Sequence, residues 1–141
     1  MMRSIRFYIP AILWTLIILL LTLMPASDVP NTFLSKIPHF DKVVHAGIFA
    51  LFVVLWYASV RKYYMIKYPG NSEAHFHPMN TLALIILIAI ILGILIEITQ
   101  KEWKSIHRDF EWYDWVADII GAFFGGAVAN ELFKIKPARK K

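Results

Sequence analysis

Apolar residues in this chain fall into four long runs separated by short polar connections. The runs cover roughly 7–24 (FYIPAILWTLIILLLTLM), 43–60 (VVHAGIFALFVVLWYASV), 80–99 (NTLALIILIAIILGILIEIT) and 115–133 (WVADIIGAFFGGAVANELF). An α-helix needs about 20 residues to cross the hydrocarbon of a bilayer, and each run is close to that length. Pro25, Pro30 and Pro38 punctuate the first connection; Pro69, Gly70 and Pro78 punctuate the second. The pattern predicts an all-α membrane protein with four transmembrane helices in one bundle and a single domain over residues 1–141. Buried helices of a soluble bundle are the competing reading. Four such runs in 141 residues leave too little polar sequence to cover them. The first run follows Arg3 and Arg6, as the core of a signal peptide does. It is longer than the usual h-region of about 7–15 residues and no A-x-A site follows, so it reads as a retained anchor.

Composition agrees: 58% of residues are hydrophobic, and the mean hydropathy is +0.55. Cysteine is absent, which excludes a disulfide framework, a thiolate metal site and a cysteine nucleophile. The formal charge of +5 matters through its distribution. Arg3, Arg6, Arg61, Lys62, Lys67, Lys134, Lys136, Arg139, Lys140 and Lys141 fall on one side of the predicted spans. Lys36, Lys42, Lys101, Lys104 and Arg108 fall on the other. The richer side is expected in the cytoplasm, with both termini. Trp56, Tyr57, Tyr63 and Tyr64 suit an inner aromatic belt, and Trp103, Trp112, Tyr113 and Trp115 an outer one. The terminal KIKPARKK reads as a tail attracted to anionic lipid; no nucleic-acid partner is expected.

With that topology the polar membrane residues gather at one end. Asp41 and His45 are four apart and share a helix face, with Lys42 three before His45. Glu97 and Gln100 close the third run on one face. Arg108 lies in the third connection. Asp114, Asp118, Gly121 and Gly125 sit at offsets of four, seven and eleven, a narrow stripe on the fourth helix. Ionisable groups in membrane helices face the bundle interior or a water-filled cavity, so these residues should converge under the outer surface. Glu97 then has Lys42, Arg108 or His45 as its counter-charge. Gly121 and Gly125 form G-x-x-x-G, and Ala46 and Ala50 a similar small pair, a spacing that lets the second and fourth helices approach closely.

DKVVH, then E-x-x-Q ending a span, then Arg, then D-x-x-x-D-x-x-G-x-x-x-G entering the last span resembles the VanZ-like family of small bacterial membrane proteins. The resemblance runs from about Asp41 to Gly125 and rests on Asp41, Lys42, His45, Glu97, Gln100, Arg108, Asp114, Gly121 and Gly125. It implies about four spans, a place in the bacterial cytoplasmic membrane and a cell-envelope role. The family is named for a protein linked to teicoplanin resistance, which adds a connection to glycopeptide susceptibility. Where this chain has Asp118 the family often has Asn, so a further negative charge is present here.

Three classes of function fit these residues. The first is an enzyme or binder for an anionic envelope ligand, a lipid-linked phosphate or a peptidoglycan-related group. Lys42 and Arg108 would hold the phosphate, with Gln100 and Asp118 contributing to the ligand site. His45 or Glu97 would act as general acid or base beside Asp114, with Asp41 orienting His45. A divalent metal is a variant of this reading: His45, Glu97, Asp114 and Asp118 offer one nitrogen and several carboxylates, suited to Mg, Mn, Ca or Zn. The second class is a small transporter subunit, although the acids cluster at one rim instead of deep in a span. The third is a structural or accessory membrane protein whose polar cluster only ties helices together. Membrane lipid is a partner in every case, and the sequence sets no oligomeric state.

Overall fold

The computed structural model describes residues 5–25, 38–71, 75–103 and 110–134. Among the described residues there are four α-helices and no strand: α1 (Ile9–Thr22), α2 (Phe40–Lys67), α3 (Pro78–Glu102) and α4 (Trp112–Leu132). Proline opens both α1 and α3, where its fixed φ suits the first turn and its missing N–H is not needed. His39, at φ 59°, turns the chain into α2, and Gly70, at φ 82°, turns it away after the helix ends.

The helices differ in length from the apolar runs. At 1.5 Å per residue, α2 is about 42 Å long. It includes 61–67, which the sequence reading assigned to the second connection. The stretch RKYYMIK contains neither Gly nor Pro, so nothing stops the helix before Pro69. The α1 helix is shorter than its run, at 14 residues.

Contacts fix an up-and-down arrangement. Gln100 near the end of α3 donates to the Thr22 carbonyl at the end of α1. At the same end, Lys42 at the start of α2 meets Asp114 at the start of α4. At the other end, Tyr57 of α2 packs on Phe76 and Phe133, and Trp56 donates to Thr15 of α1. The α2–α4 pair is the most intimate, α3 packs on both, and α1 lies against α2 and α3. Two glycines make the α2–α4 contact possible: a Cβ on Gly121 would fall on the Ala46 carbonyl, and one on Gly125 on the Ala50 carbonyl. Phe49, Val53, Ala89 and Ala122 fill the space between the helices.

Much of the apolar surface points outward. On α3, Leu84, Leu87, Ile88, Ile91, Leu95 and Ile98 are all exposed, at spacings that make one continuous face. Two helices, α2 and α3, are long and apolar enough to cross a membrane, yet only 39% and 33% of their apolar windows are buried within the molecule. The apolar α1 is shorter than a full span at 14 residues. At 21 residues α4 is long enough, but it carries Asp114, Asp118, Asn130 and Glu131.

Candidate functional site

The end of the bundle where α2 begins, α3 ends and α4 begins collects the ionisable groups. Lys42, in the first turn of α2, projects toward α4. Its Nζ lies 2.6 Å from Asp41 Oδ2, 2.6 Å from Glu111 Oε2 and 2.5 Å from Asp114 Oδ1. An ammonium has three donors, and three carboxylates surround this one. Partial burial pushes the Lys42 amine down, but its close ion contacts with Asp114, Asp41 and Glu111 outweigh that and hold it well above the usual amine range. Burial likewise pushes Asp41 up, while the bond to Lys42 reverses the sign and holds its carboxyl below the usual carboxylate range.

One turn further along α2, His45 is buried against α4. Its Nδ1 lies 2.9 Å from Asp118 Oδ1. A carboxylate only accepts, so Nδ1 donates, and this bond fixes the ring orientation and tautomer. The opposite nitrogen, Nε2, faces Asp114 Oδ2 at 3.7 Å, too far for a direct hydrogen bond.

Glu97 and Asp118 are both 0% exposed. Glu97 Oε2 accepts the backbone N–H of Glu111 at 2.9 Å. Its Oε1, and Asp118 Oδ2, have no hydrogen-bond partner among the described residues. Asp118 fits because α3 has glycine opposite: a Cβ on Gly93 would lie 2.8 Å from Asp118 Oδ2. His45, Glu97 and Asp114 each place one potential ligand atom within 4.8 Å of the others. Asp41, Glu111 and Asp114 do the same nearer the surface.

The structure thus brings Asp41, Lys42, His45, Glu97, Asp114 and Asp118 to one end of the bundle, while redistributing their expected roles. Asp118, not Asp41, orients His45, because Asp41 at the helix start turns to Lys42. Lys42 is matched by carboxylates and is not free for a phosphate. Glu97 makes no ion pair among the described residues, and its bonded partner is a backbone N–H. Gln100 reaches across to α1 at 2.8 Å, tying helices together. Arg108 lies outside the described residues. Gly121, Gly125, Ala46 and Ala50 form the α2–α4 contact below the cluster.

Two contributors escaped the sequence reading. Glu111 supplies both a carboxylate to Lys42 and an N–H to Glu97, from a connection with no periodicity to place it. Gly93 lies four residues before Glu97, and that spacing on one helix face was the only available signal. Beside the cluster, Ile98, Lys101, Glu102, Phe110 and Trp112 line an open groove of about 510 Å³. No protein-family model, curated protein or solved structure matches this chain.

Proposed function

We propose that this chain is a VanZ-like protein of the bacterial cytoplasmic membrane with four spans and both termini inside. Its extracytoplasmic polar site binds or processes the head group of an anionic envelope ligand, a lipid-linked phosphate or a peptidoglycan-related group. The outward apolar faces of the helices support the membrane part of this reading. One observation carries the ligand site: Glu97 and Asp118 are wholly buried, and each keeps an oxygen with no partner among the described residues. A hydrogen bond between membrane helices is worth about 0.6 kcal/mol on average. Two buried carboxylates with open lone pairs are a poor way to obtain that stabilisation and a good way to hold something else.

The charge balance constrains the ligand. Among the described residues, the carboxylates of Asp41, Glu97, Glu111, Asp114 and Asp118 face only Lys42 and His45. An anionic head group therefore needs added positive charge, from Arg108 or from a bound cation. The purely structural alternative draws support from Lys42, whose three carboxylate partners already close a network between α2 and α4. Native mass spectrometry of gently extracted protein, wild type beside Glu97→Gln, separates the readings. A lipid species retained by the wild type and lost by a folded variant is the expected result. Equal lipid profiles in the two proteins would favour the structural network.

A further inference from the structure

In His45, Glu97 and Asp114 one ligand atom is held by a neighbour and the other has no hydrogen-bond partner among the described residues. On His45, Nδ1–H is held by Asp118, which leaves the Nε2 lone pair toward the carboxylates. Asp114 has Oδ1 against the Lys42 ammonium and Oδ2 toward His45. In Glu97, Oε2 takes the Glu111 N–H, and Oε1 is buried without a partner among the described residues. A lone pair and two carboxylates converging within 4.8 Å repel one another unless a positive centre sits between them.

We infer that His45, Glu97 and Asp114 form a binding site for one divalent transition-metal ion, with Asp118, the Glu111 N–H and Lys42 as the outer groups that orient the three ligands. This rests on the reading of the cluster as a ligand pocket and names what occupies it. The dimensions fit. Metal bonds of about 2.1 Å at the tetrahedral angle place two ligand atoms about 3.4 Å apart; His45 Nε2 and Asp114 Oδ2 are 3.7 Å apart, slightly wider. Histidine ligands ordinarily donate their other N–H to a carboxylate, as His45 does. One imidazole with two carboxylates is a borderline set that takes Mn²⁺ or Zn²⁺ in preference to the all-oxygen surroundings of Ca²⁺ or Mg²⁺. Three protein ligands leave coordination positions open. An oxygen of an anionic head group can fill one of them, with the ion supplying the positive charge that Lys42 does not. The more exposed trio of Asp41, Glu111 and Asp114 already has its cation in Lys42 and lacks this construction.

The test uses the full chain in detergent, stripped with chelator and re-equilibrated with Mn²⁺ or Zn²⁺. Metal content is measured on the folded, monodisperse fraction. One ion per chain is expected, with affinity lowered at least tenfold by Glu97→Gln or His45→Gln and about 10–100-fold by Asp118→Asn. Glu131→Gln, in an exposed ion pair with Lys134, should bind as the wild type does. Should the ligand variants fail to fold, electron-spin-echo spectra of wild type loaded with Mn²⁺ decide the matter, since one directly coordinated imidazole gives a ¹⁴N coupling. A folded wild type without stoichiometric metal overturns the assignment, as does bound Mn²⁺ without nitrogen coupling. Uptake lost in Asp41→Asn and kept in His45→Gln would also overturn it. Native spectra of the same samples count retained lipid: lipid held without metal removes the ion and leaves the pocket, while the loss of both removes the pocket as well.

Discussion

His45 of α2 and Asp118 of α4 meet through a 2.9 Å hydrogen bond three residues before Gly121 brings the same two helices into backbone contact. The close packing below sets the distance above, so the polar pair depends on the glycines. At this position Asp118→Asn keeps an oxygen that can accept the Nδ1–H, whereas Asp118→Ala leaves that donor buried and unpartnered. We expect Asp118→Ala to lose about 1–3 kcal/mol of stability. Asp118→Asn should lose less than half as much. Unfolding in detergent, followed by tryptophan fluorescence, measures both. Equal losses would mean the hydrogen bond is not what the carboxylate supplies.

Gly121→Ala and Gly125→Ala should be far more damaging than their size suggests. In each the new Cβ meets backbone, the Ala46 or Ala50 carbonyl, which cannot rotate away as a side chain would. The helices must separate, and overpacking of this kind loses about 3 kcal/mol. Phe124→Leu on the same helix changes an outward residue, 65% exposed, and should leave the thermal midpoint unchanged. A midpoint for Gly121→Ala within a degree of wild type would refute the close approach.

Two glycines elsewhere give opposite expectations for one substitution. Nothing lies within 4 Å of a Cβ on Gly47, so Gly47→Ala adds helix propensity of up to about 1 kcal/mol at no steric cost. At Gly93 the Cβ would sit 2.8 Å from Asp118 Oδ2 and 3.3 Å from Trp115. Gly93→Ala should therefore destabilise the bundle and weaken Mn²⁺ binding in the same protein, through displacement of Asp118 and with it His45. Parallel thermal scans and metal titrations check the pair.

The proposed topology has its own test, and the natural absence of cysteine makes it clean. Asn71 follows α2, and Glu102 ends α3; both are exposed. Single cysteines at these positions should differ in intact cells: Glu102→Cys labelled by an impermeant maleimide, Asn71→Cys labelled only after lysis. The reverse pattern would invert the protein and place the His45 cluster on the cytoplasmic side.

The helices were legible because their signal is long-range and redundant: runs of about 20 apolar residues outweigh any single misreading. Their ends were less so. The sequence reading stopped the second helix at 60, where hydropathy falls, but hydropathy reports the surroundings of a helix and not its hydrogen bonding, which continues to Lys67. Within the site, spacing placed Asp114, Asp118, Gly121 and Gly125 on one stripe, because helix geometry alone determines that. Spacing could not say which carboxylate each cation would choose. That depends on helix rotation and depth, so Asp118 took the role expected of Asp41, and Glu111 entered from a connection where no period exists.

Lys42 gives the sharpest pH signature. Asp41 is held below its unfolded value, so the stability it contributes is present above about pH 4 and is lost as pH falls through its folded value. Lys42 is held above its unfolded value, so its contribution is present below about pH 10.4 and is lost as pH rises through its folded value. The contribution of the Asp41–Lys42 pair is accordingly constant between these limits. In Lys42→Met, the carboxylates of Asp41, Glu111 and Asp114 lose their shared cation. The wild type's advantage from the Asp41–Lys42 pair is lost only as pH falls through the folded value of Asp41, so the gap in thermal midpoint between wild type and Lys42→Met should be full at about pH 5–9 and narrow below about pH 4. Circular-dichroism melts in chelator across that range measure the gap without interference from bound metal. A gap that stays constant with pH would mean that the aliphatic stem of Lys42, and not its charge, holds α2 to α4 at this end.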